Sequence, residues 1–249
     1  MDLVSAASAI FEARNKRVTI PRLPESLRPR NQEDAMAIQQ AVSLLLAKPT
    51  VAWKCALPKP DRIPCAPIFD IYPAGDVPVN HGGNVKLVEP EIAFVLSRDI
   101  PPRDEPYTDS EILESISSAR LAIEIIGSRF DDIMATDFHE KTADHIMNES
   151  LVVGPEIAIQ IARDLAGFDL LVTSNQRTLL TTKAQHPDGG PYGGLVWLAN
   201  YLRQTGEGLR KGAVVTTGSY AGFVELPFEQ QVSLTFGSLG AVDLRLVRV

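Results

Sequence analysis

The segment Val88-Glu89-Pro90-Glu91-Ile92-Ala93-Phe94-Val95-Leu96 constrains the fold more than any other part of this 249-residue chain. Side chains along a strand alternate between faces. Val88, Pro90, Ile92, Phe94 and Leu96 therefore form an apolar face, and Glu89, Glu91, Ala93 and Val95 form the other. A strand with one apolar face must pack against a further layer. The remaining segments supply candidates. Gln231–Phe236 and Ala241–Leu246 alternate at period two and are joined by Gly237-Ser238-Leu239-Gly240, which predicts a C-terminal hairpin. Val51–Leu57, Leu170–Ser174 and Val214–Gly218 read as strands, and Ile157–Ala166 as short strands.

Helices are expected at Leu3–Arg14 and from Asn31, an N-cap candidate followed by Ala35, Ile38, Val42, Leu45 and Leu46 at helical spacing. Thr108-Asp109-Ser110-Glu111 has capping-box form and opens a helix carrying Ile112, Leu113, Ile116 and Ala119. A last helix spans Leu195–Gln204 and stops near Gly206 and Gly208. Pro58, Pro60, Pro64, Pro67, Pro73 and Pro78 mark residues 58–80 as a long ordered loop or a set of edge turns. The order is not a regular βαβα series, so the class is α+β with a mixed or antiparallel sheet system. A helical N-terminal lobe at 1–48 precedes a β-rich domain at 49–249.

Composition narrows the function. Hydrophobic residues at 45% and charged residues at 22% are those of an ordinary globular chain. The net charge of −7 argues against a nucleic-acid partner. Two cysteines, Cys55 and Cys65, imply no disulfide framework and fit a reducing cytoplasm. The start Met1-Asp2-Leu3-Val4 lacks signal-peptide form, and no run of about 18 apolar residues suggests a membrane span. There is no glycine-rich phosphate loop.

The chemistry points to acids. Glu89 and Glu91 project the same way with Cα atoms about 7 Å apart. Their repulsion is relieved by a hard divalent cation such as Mg²⁺, which takes oxygen ligands, although the same spacing occurs on solvent-facing strands. Glu124 sits within Leu121-Ala122-Ile123-Glu124-Ile125-Ile126, where an acid is costly unless paired, metal-bound or on an exposed edge. With Glu89 and Glu91 it makes a three-carboxylate site. Lys54 interrupts Val51-Ala52-Trp53 and Cys55-Ala56-Leu57. A lysine in a dry strand titrates lower and suits proton transfer, and a snorkelling or ion-paired lysine gives the same pattern. His81, His139, His145 and His186 lack zinc spacing; His139 or His145 could shuttle protons, or lie in core or surface. Cys55 reads as a buried thiol.

Val88–Phe94 resembles the E-x-E-I-A-F strand of the fumarylacetoacetate hydrolase superfamily, and more narrowly its 2-keto-4-pentenoate hydratase and 4-oxalocrotonate decarboxylase group. Asp34–Gln39, Trp53–Leu57, Ala122–Arg129, Ala143-Asp144, Val196–Asn200, Thr217-Gly218-Ser219 and Phe236–Gly240 are similar in the same order. The resemblance implies a mixed β-roll with a small helical N-terminal part, usually in a homo-oligomer. It implies Mg²⁺ or Mn²⁺ held by Glu89, Glu91 and Glu124, Lys54 as acid/base, and substrate contacts from Thr217, Gly218, Ser219 and Asp144. The substrates it implies are small 2-oxo or 2-hydroxydienoic acids that are hydrated, as in aromatic-compound catabolism. Alternatives are a decarboxylase, an acylpyruvate C–C hydrolase, or a partner complexed with a related decarboxylase or hydratase. The chain departs from the pattern at Gly127, where the family has aspartate. It departs again at Ala66-Pro67-Ile68-Phe69, where an acid is missing with Asp70 one residue beyond, at His145 after Ala143-Asp144, and at His186-Pro187-Asp188.

Overall fold

The computed structural model describes residues 2–80 and 84–249. Two helices, α1 (Leu3–Lys16) and α2 (Gln32–Leu46), open the chain. Asn31 caps α2 by accepting a hydrogen bond from the Asp34 amide at 2.8 Å. Asn31→Ala should therefore lower stability by about 1 kcal/mol in thermal or urea unfolding. The helices bury Ala6, Ala7, Ile10, Ile38 and Val42 in a small cluster with Leu23, Phe130 and Ala143.

The strands follow: β1 (Ala52–Cys55), β2 (Cys65–Ile68), β3 (Ile71–Pro73), β4 (Gly75–Val79) and β5 (Val85–Leu96). The short helix α3 (Asp109–Glu114) then leads into β6 (Ile116–Ile126). Next are α4 (Phe138–Ala143), β7 (Asn148–Ile157), α5 (Ile159–Arg163), β8 (Gly167–Ser174), β9 (Arg177–Gln185) and α6 (Tyr192–Thr205). The chain closes with β10 (Val214–Thr216), β11 (Val224–Pro227), β12 (Gln231–Phe236) and β13 (Ala241–Arg248). Among the described residues these strands make two curled sheets. One is ordered β2-β1-β10-β5-β6-β7-β3 with β11 also on β5; the other is ordered β4-β13-β12-β8-β9. Parallel and antiparallel pairs occur in both, so the mixed α+β expectation holds.

Three local expectations need correction. Residues 58–80 are not a loop with turns: they supply β2, β3 and β4, each at the end of its sheet order. Proline lacks the amide donor a central strand needs, so Pro67, Pro73 and Pro78 sit where only one neighbour is bonded. The helix from Thr108 has its capping box but ends at Glu114, and Ile116 and Ala119 belong to β6. There the Ser115 hydroxyl donates to the Ile112 carbonyl at 2.6 Å, and β5 offers a ladder partner to the following residues. Within segment 157–166, Ile157 ends β7 and Ile159–Arg163 form α5 rather than further strands. The Gly237–Gly240 connection joins β12 to β13 as expected, with Gly237 and Gly240 both at positive φ.

The main core lies between the sheets. Val88, Ile92, Phe94 and Leu96 of β5 pack with Leu121, Ile123 and Ile125 of β6, with Leu234 and Phe236, with Leu244 and Leu246, and with Leu195 and Leu198 of α6. The opposite face of the first sheet holds a smaller apolar cluster of Ala52, Ile68, Ala93, Ala122, Leu151 and Val214. The carboxylates project on that side. Helix α2 is tied to α4 and to β2, because the Gln39 amide donates to the carbonyls of Thr142 and Cys65.

Candidate metal centre and active site

Strand register builds the acid cluster. In the antiparallel β5–β6 ladder Glu89 lies opposite Glu124 and Glu91 opposite Ala122, so the three carboxylates share one face. One oxygen from each of Glu89, Glu91 and Glu124 lies within 4.8 Å of the others. Glu91 and Glu124 are buried, and the Glu89 side chain keeps 17% exposure, which makes it the open side of the cluster.

Lys54 completes it. Along β1, Trp53 and Cys55 turn into the main core, so Lys54 takes the other face. Its ammonium donates to Glu124 Oε1 at 2.6 Å and to the Ile146 carbonyl at 3.2 Å, and lies 3.9 Å from Glu89. Burial pushes the ammonium down, but Glu124, Glu89 and Glu91 and the bond to Glu124 outweigh it, so Lys54 titrates above its ordinary value. This corrects the expectation of a lowered lysine: in the ion-free protein the acids hold it charged. Burial pushes Glu89 up to about 7 against the pull of Lys54. It raises Glu91 well above the carboxylate range, with Glu124 and Glu89 adding to the effect.

Two elements finish the walls. Strands β10 and β11 pair with β5 on either side of the glutamates, and residues 217–223 leave the sheet edge between them. That excursion brings the Gly218 amide to Glu91 Oε2 at 3.2 Å and the Tyr220 amide to the Pro90 carbonyl at 3.0 Å. The Thr217 hydroxyl is buried there without a partner among the described residues, whereas Ser219 donates to the Gly222 carbonyl at 3.0 Å. Opposite lies a left-handed turn, His145-Ile146-Met147, with φ of 53°, 50° and 61°. A β-branched isoleucine is uncommon there, and such strain persists only where neighbours over-determine it.

The neighbours are visible. Asp144 accepts from the Arg129 amide at 2.9 Å and from its guanidinium, both residues being buried. Asp144 is thus committed to Arg129 rather than gathered with the other candidate residues. His145 is bonded to the Ser43 hydroxyl of α2 at 2.9 Å. Burial, with Arg14 and Arg129 nearby, pushes its imidazole well below its ordinary value, so it stays neutral. Asn148, which the sequence reading missed, donates to Glu124 Oε1 at 3.0 Å. Asp70 pairs with Lys48 at 2.8 Å and does not replace the missing family acid at the cluster. At Gly127 the side chain of Glu149 fills the space a Cβ would need. His186 and His139 are not in the cluster, Cys55 is a buried thiol bonded to the Gly194 carbonyl, and His81 lies outside the described residues. The three glutamates line neither of two clefts, of about 770 and 370 Å³, elsewhere on the described residues.

No family model matches the chain. It is 27% identical over 228 residues to the 2-keto-4-pentenoate hydratase of Paraburkholderia xenovorans (strain LB400), covering 86% of this chain and 83% of that protein. It is 26% identical to the 2-keto-4-pentenoate hydratase of Paraburkholderia phymatum, covering 96% of this chain and 95% of that one. Its fold superposes on 4-oxalocrotonate decarboxylase from Pseudomonas putida G7, complexed with magnesium and adipate, with a TM-score of 0.80 over 98% of this chain and 97% of that one at 18% identity. The chain is thus similar in sequence to 2-keto-4-pentenoate hydratases over most of its length, and it shares the fold of 4-oxalocrotonate decarboxylase. A more distant fold match is fumarylpyruvate hydrolase from Pseudomonas aeruginosa in complex with Mn²⁺ and pyruvate, with a TM-score of 0.56 over 80% of this chain and 89% of that one at 13% identity. No helix among the described residues is long and apolar enough to cross a membrane.

Proposed function

We propose that the chain is a divalent-metal-dependent hydro-lyase that adds water to a 2-hydroxy-2,4-dienoate of the 2-keto-4-pentenoate class. The observation that carries this reading is the buried cluster of Glu89, Glu91 and Glu124 with Lys54 hydrogen-bonded to it. The cluster fits a hard cation. Its donors are carboxylate oxygens, and Glu124 Oε2 is buried with no hydrogen-bond partner among the described residues. Glu89, Glu91 and Glu124 would hold Mg²⁺ or Mn²⁺. Such an ion supplies positive charge that attracts the C1 carboxylate and C2 oxygen and offsets negative charge developing on the latter.

The chain's own residues do the rest. With the acids' charge compensated, burial is the influence left on Lys54, and it favours the neutral amine. Lys54 then moves protons: the 2-hydroxyl gives one up, C5 gains one, and a conjugated 2-oxo-3-enoate results. Water oxygen bonds to C4 and its proton goes to C3, giving a 4-hydroxy-2-oxo acid. The Thr217 hydroxyl is a donor suited to the substrate carboxylate, the Gly218 amide holds Glu91 at the rim of the same pocket, and Ser219 shapes their turn. Asp144 acts through Arg129 as a positioning residue for the turn that holds Lys54.

A decarboxylase is the second reading. Asp70 is engaged by Lys48 and position 127 is glycine, and loss of CO₂ needs no activated water. The test is turnover of 2-hydroxypenta-2,4-dienoate and of 2-oxo-hex-3-enedioate with Mg²⁺ or Mn²⁺. Loss of dienoate ultraviolet absorbance with a hydroxy-oxo acid product is expected; CO₂ release from the diacid alone would favour the second reading, and neither would overturn both. Self-association and a complex with a related decarboxylase or hydratase also belong to this proposal. Exposed Val85, Leu179 and Phe223 offer apolar surface for either.

A further inference from the structure

We propose that the cleft at the C-terminal end of α1 is a second binding site, for a small anion carrying a carboxylate or phosphate group held by Arg14 and Arg17. The cleft encloses about 370 Å³ between α1, α2 and the edges of β3, β4 and β7, a volume suited to a small metabolite. Arg14, Arg17, Lys48 and Arg129 line it, against the acidic side chains of Asp70 and Glu149 and the carboxylate of the last residue, Val249.

Pairing within the cleft leaves a surplus of positive charge. Asp70 is taken by Lys48, Glu149 by Lys86 and the Asn80 amide, and Arg129 by Asp144. Neither Arg14 nor Arg17 forms an ion pair among the described residues, whose ion pairs take up both acidic side chains lining the cleft. Arg14 Nη1 is buried without a hydrogen-bond partner, and its guanidinium stands 5.8 Å from the Phe69 ring centroid. The Ser150 hydroxyl, on a residue only 2% exposed, also lines the cleft and also lacks a partner. Burial and then the nearby charge of Arg129 push Arg14 down to about 10, as expected of a cation without its counter-ion. A buried guanidinium left unpaired is costly, and a planar carboxylate or a phosphate satisfies its fork of donors. In a chain of net charge −7 this surplus is not a general excess of base.

The site is distinct from the glutamate cluster but connected to it. Arg129 donates to the Asn148 carbonyl at 2.9 Å, and the Asn148 side chain donates to Glu124 at 3.0 Å. An anion drawn to Arg14 thus settles beside the residue that braces Asp144 and Asn148.

Titration calorimetry on the EDTA-treated full chain at low ionic strength tests the proposal, with inorganic phosphate and succinate as probes. At least one probe should bind at one per chain, and which of them binds identifies the group recognised. Arg14→Met and Arg17→Met should each weaken binding by about tenfold or more, the loss of a charge-assisted hydrogen bond. Glu91→Gln should leave it unchanged. Arg17 is exposed, so its replacement keeps the test valid if the Arg14 variant fails to fold. The proposal is overturned if neither probe binds at millimolar concentration or if both arginine variants bind like the parent. It is equally overturned if Glu91→Gln abolishes binding, or if sedimentation shows Arg14→Met or Arg17→Met breaking an oligomer, since a neighbouring copy would then fill the cleft.

Discussion

Glu124→Gln should remove tight Mg²⁺ or Mn²⁺ binding and lower kcat/KM by about three orders of magnitude, the several kcal/mol that a well-placed cation contributes to offsetting developing charge. Glu124 is the least replaceable of the acids. It is wholly buried, one oxygen already accepts from Lys54 and Asn148, and the other has no partner. Glutamine keeps the shape and the first oxygen's bonds but puts an amide group, a donor, where an acceptor is needed. Calorimetric titration with Mn²⁺ and the ultraviolet assay check this; parent-like Mn²⁺ affinity in the variant would show that the ion sits elsewhere. A pH signature accompanies it. Burial holds Glu89 at about 7 and raises Glu91 well above the carboxylate range, so metal binding must displace protons from both, and parent affinity falls as pH drops. Stability without metal runs the other way. A folded value raised above the unfolded 4.5 favours the native state at low pH, and that contribution is lost as pH rises from about 4.5 through about 7.

Lys54→Met should lower kcat by roughly 10²- to 10⁴-fold, the range for removing a general acid or base, while leaving Mn²⁺ affinity intact or improved. Methionine retains much of the length and apolar bulk of the stem. What disappears is the ammonium lying 2.6 Å from Glu124 and 3.9 Å from Glu89. Without it the ion-free protein holds three acids with no counter-charge, and breaking such a buried pair costs about 3–5 kcal/mol. Thermal unfolding with and without Mg²⁺ should thus show a larger metal-induced rise in Tm for the variant than for the parent. An unchanged kcat would remove Lys54 from the chemistry; a fall in kcat without the enlarged Tm response would make it structural only.

The parts of this molecule legible in its sequence are those set by period. Alternation along 88–96 separates Ile92 and Phe94, which enter the core, from Glu89 and Glu91, which do not. Alternation along 52–55 likewise sets Lys54 apart from Trp53 and Cys55. The direction of the lysine's titration was not legible, because it depends on which acids the fold brings from seventy residues away. The turn at 145–147 was hidden for a related reason. Left-handed backbone at His, Ile and Met carries no glycine or asparagine marker, and the contacts that impose it come from Arg129, Ser43 and Lys54. Asn148 gave no signal beyond being a polar residue before an apolar run. The end of α3 was misjudged because Ile116 and Ala119 suit a helix face as well as a strand, and β5 decides between them.

The β6–β7 pairing shifts register between Arg120 and Ala122 and again between Ile125 and Ile126, while Ala122 through Ile125 run in unbroken step with both neighbours. Adding or deleting one residue inside that step would swing the Glu124 side chain through the sheet into the hydrocarbon interior. At its two ends the ladder already tolerates a mismatch in count. The protein can thus change length around its centre and not within it, like a splint whose joints flank the part it holds still.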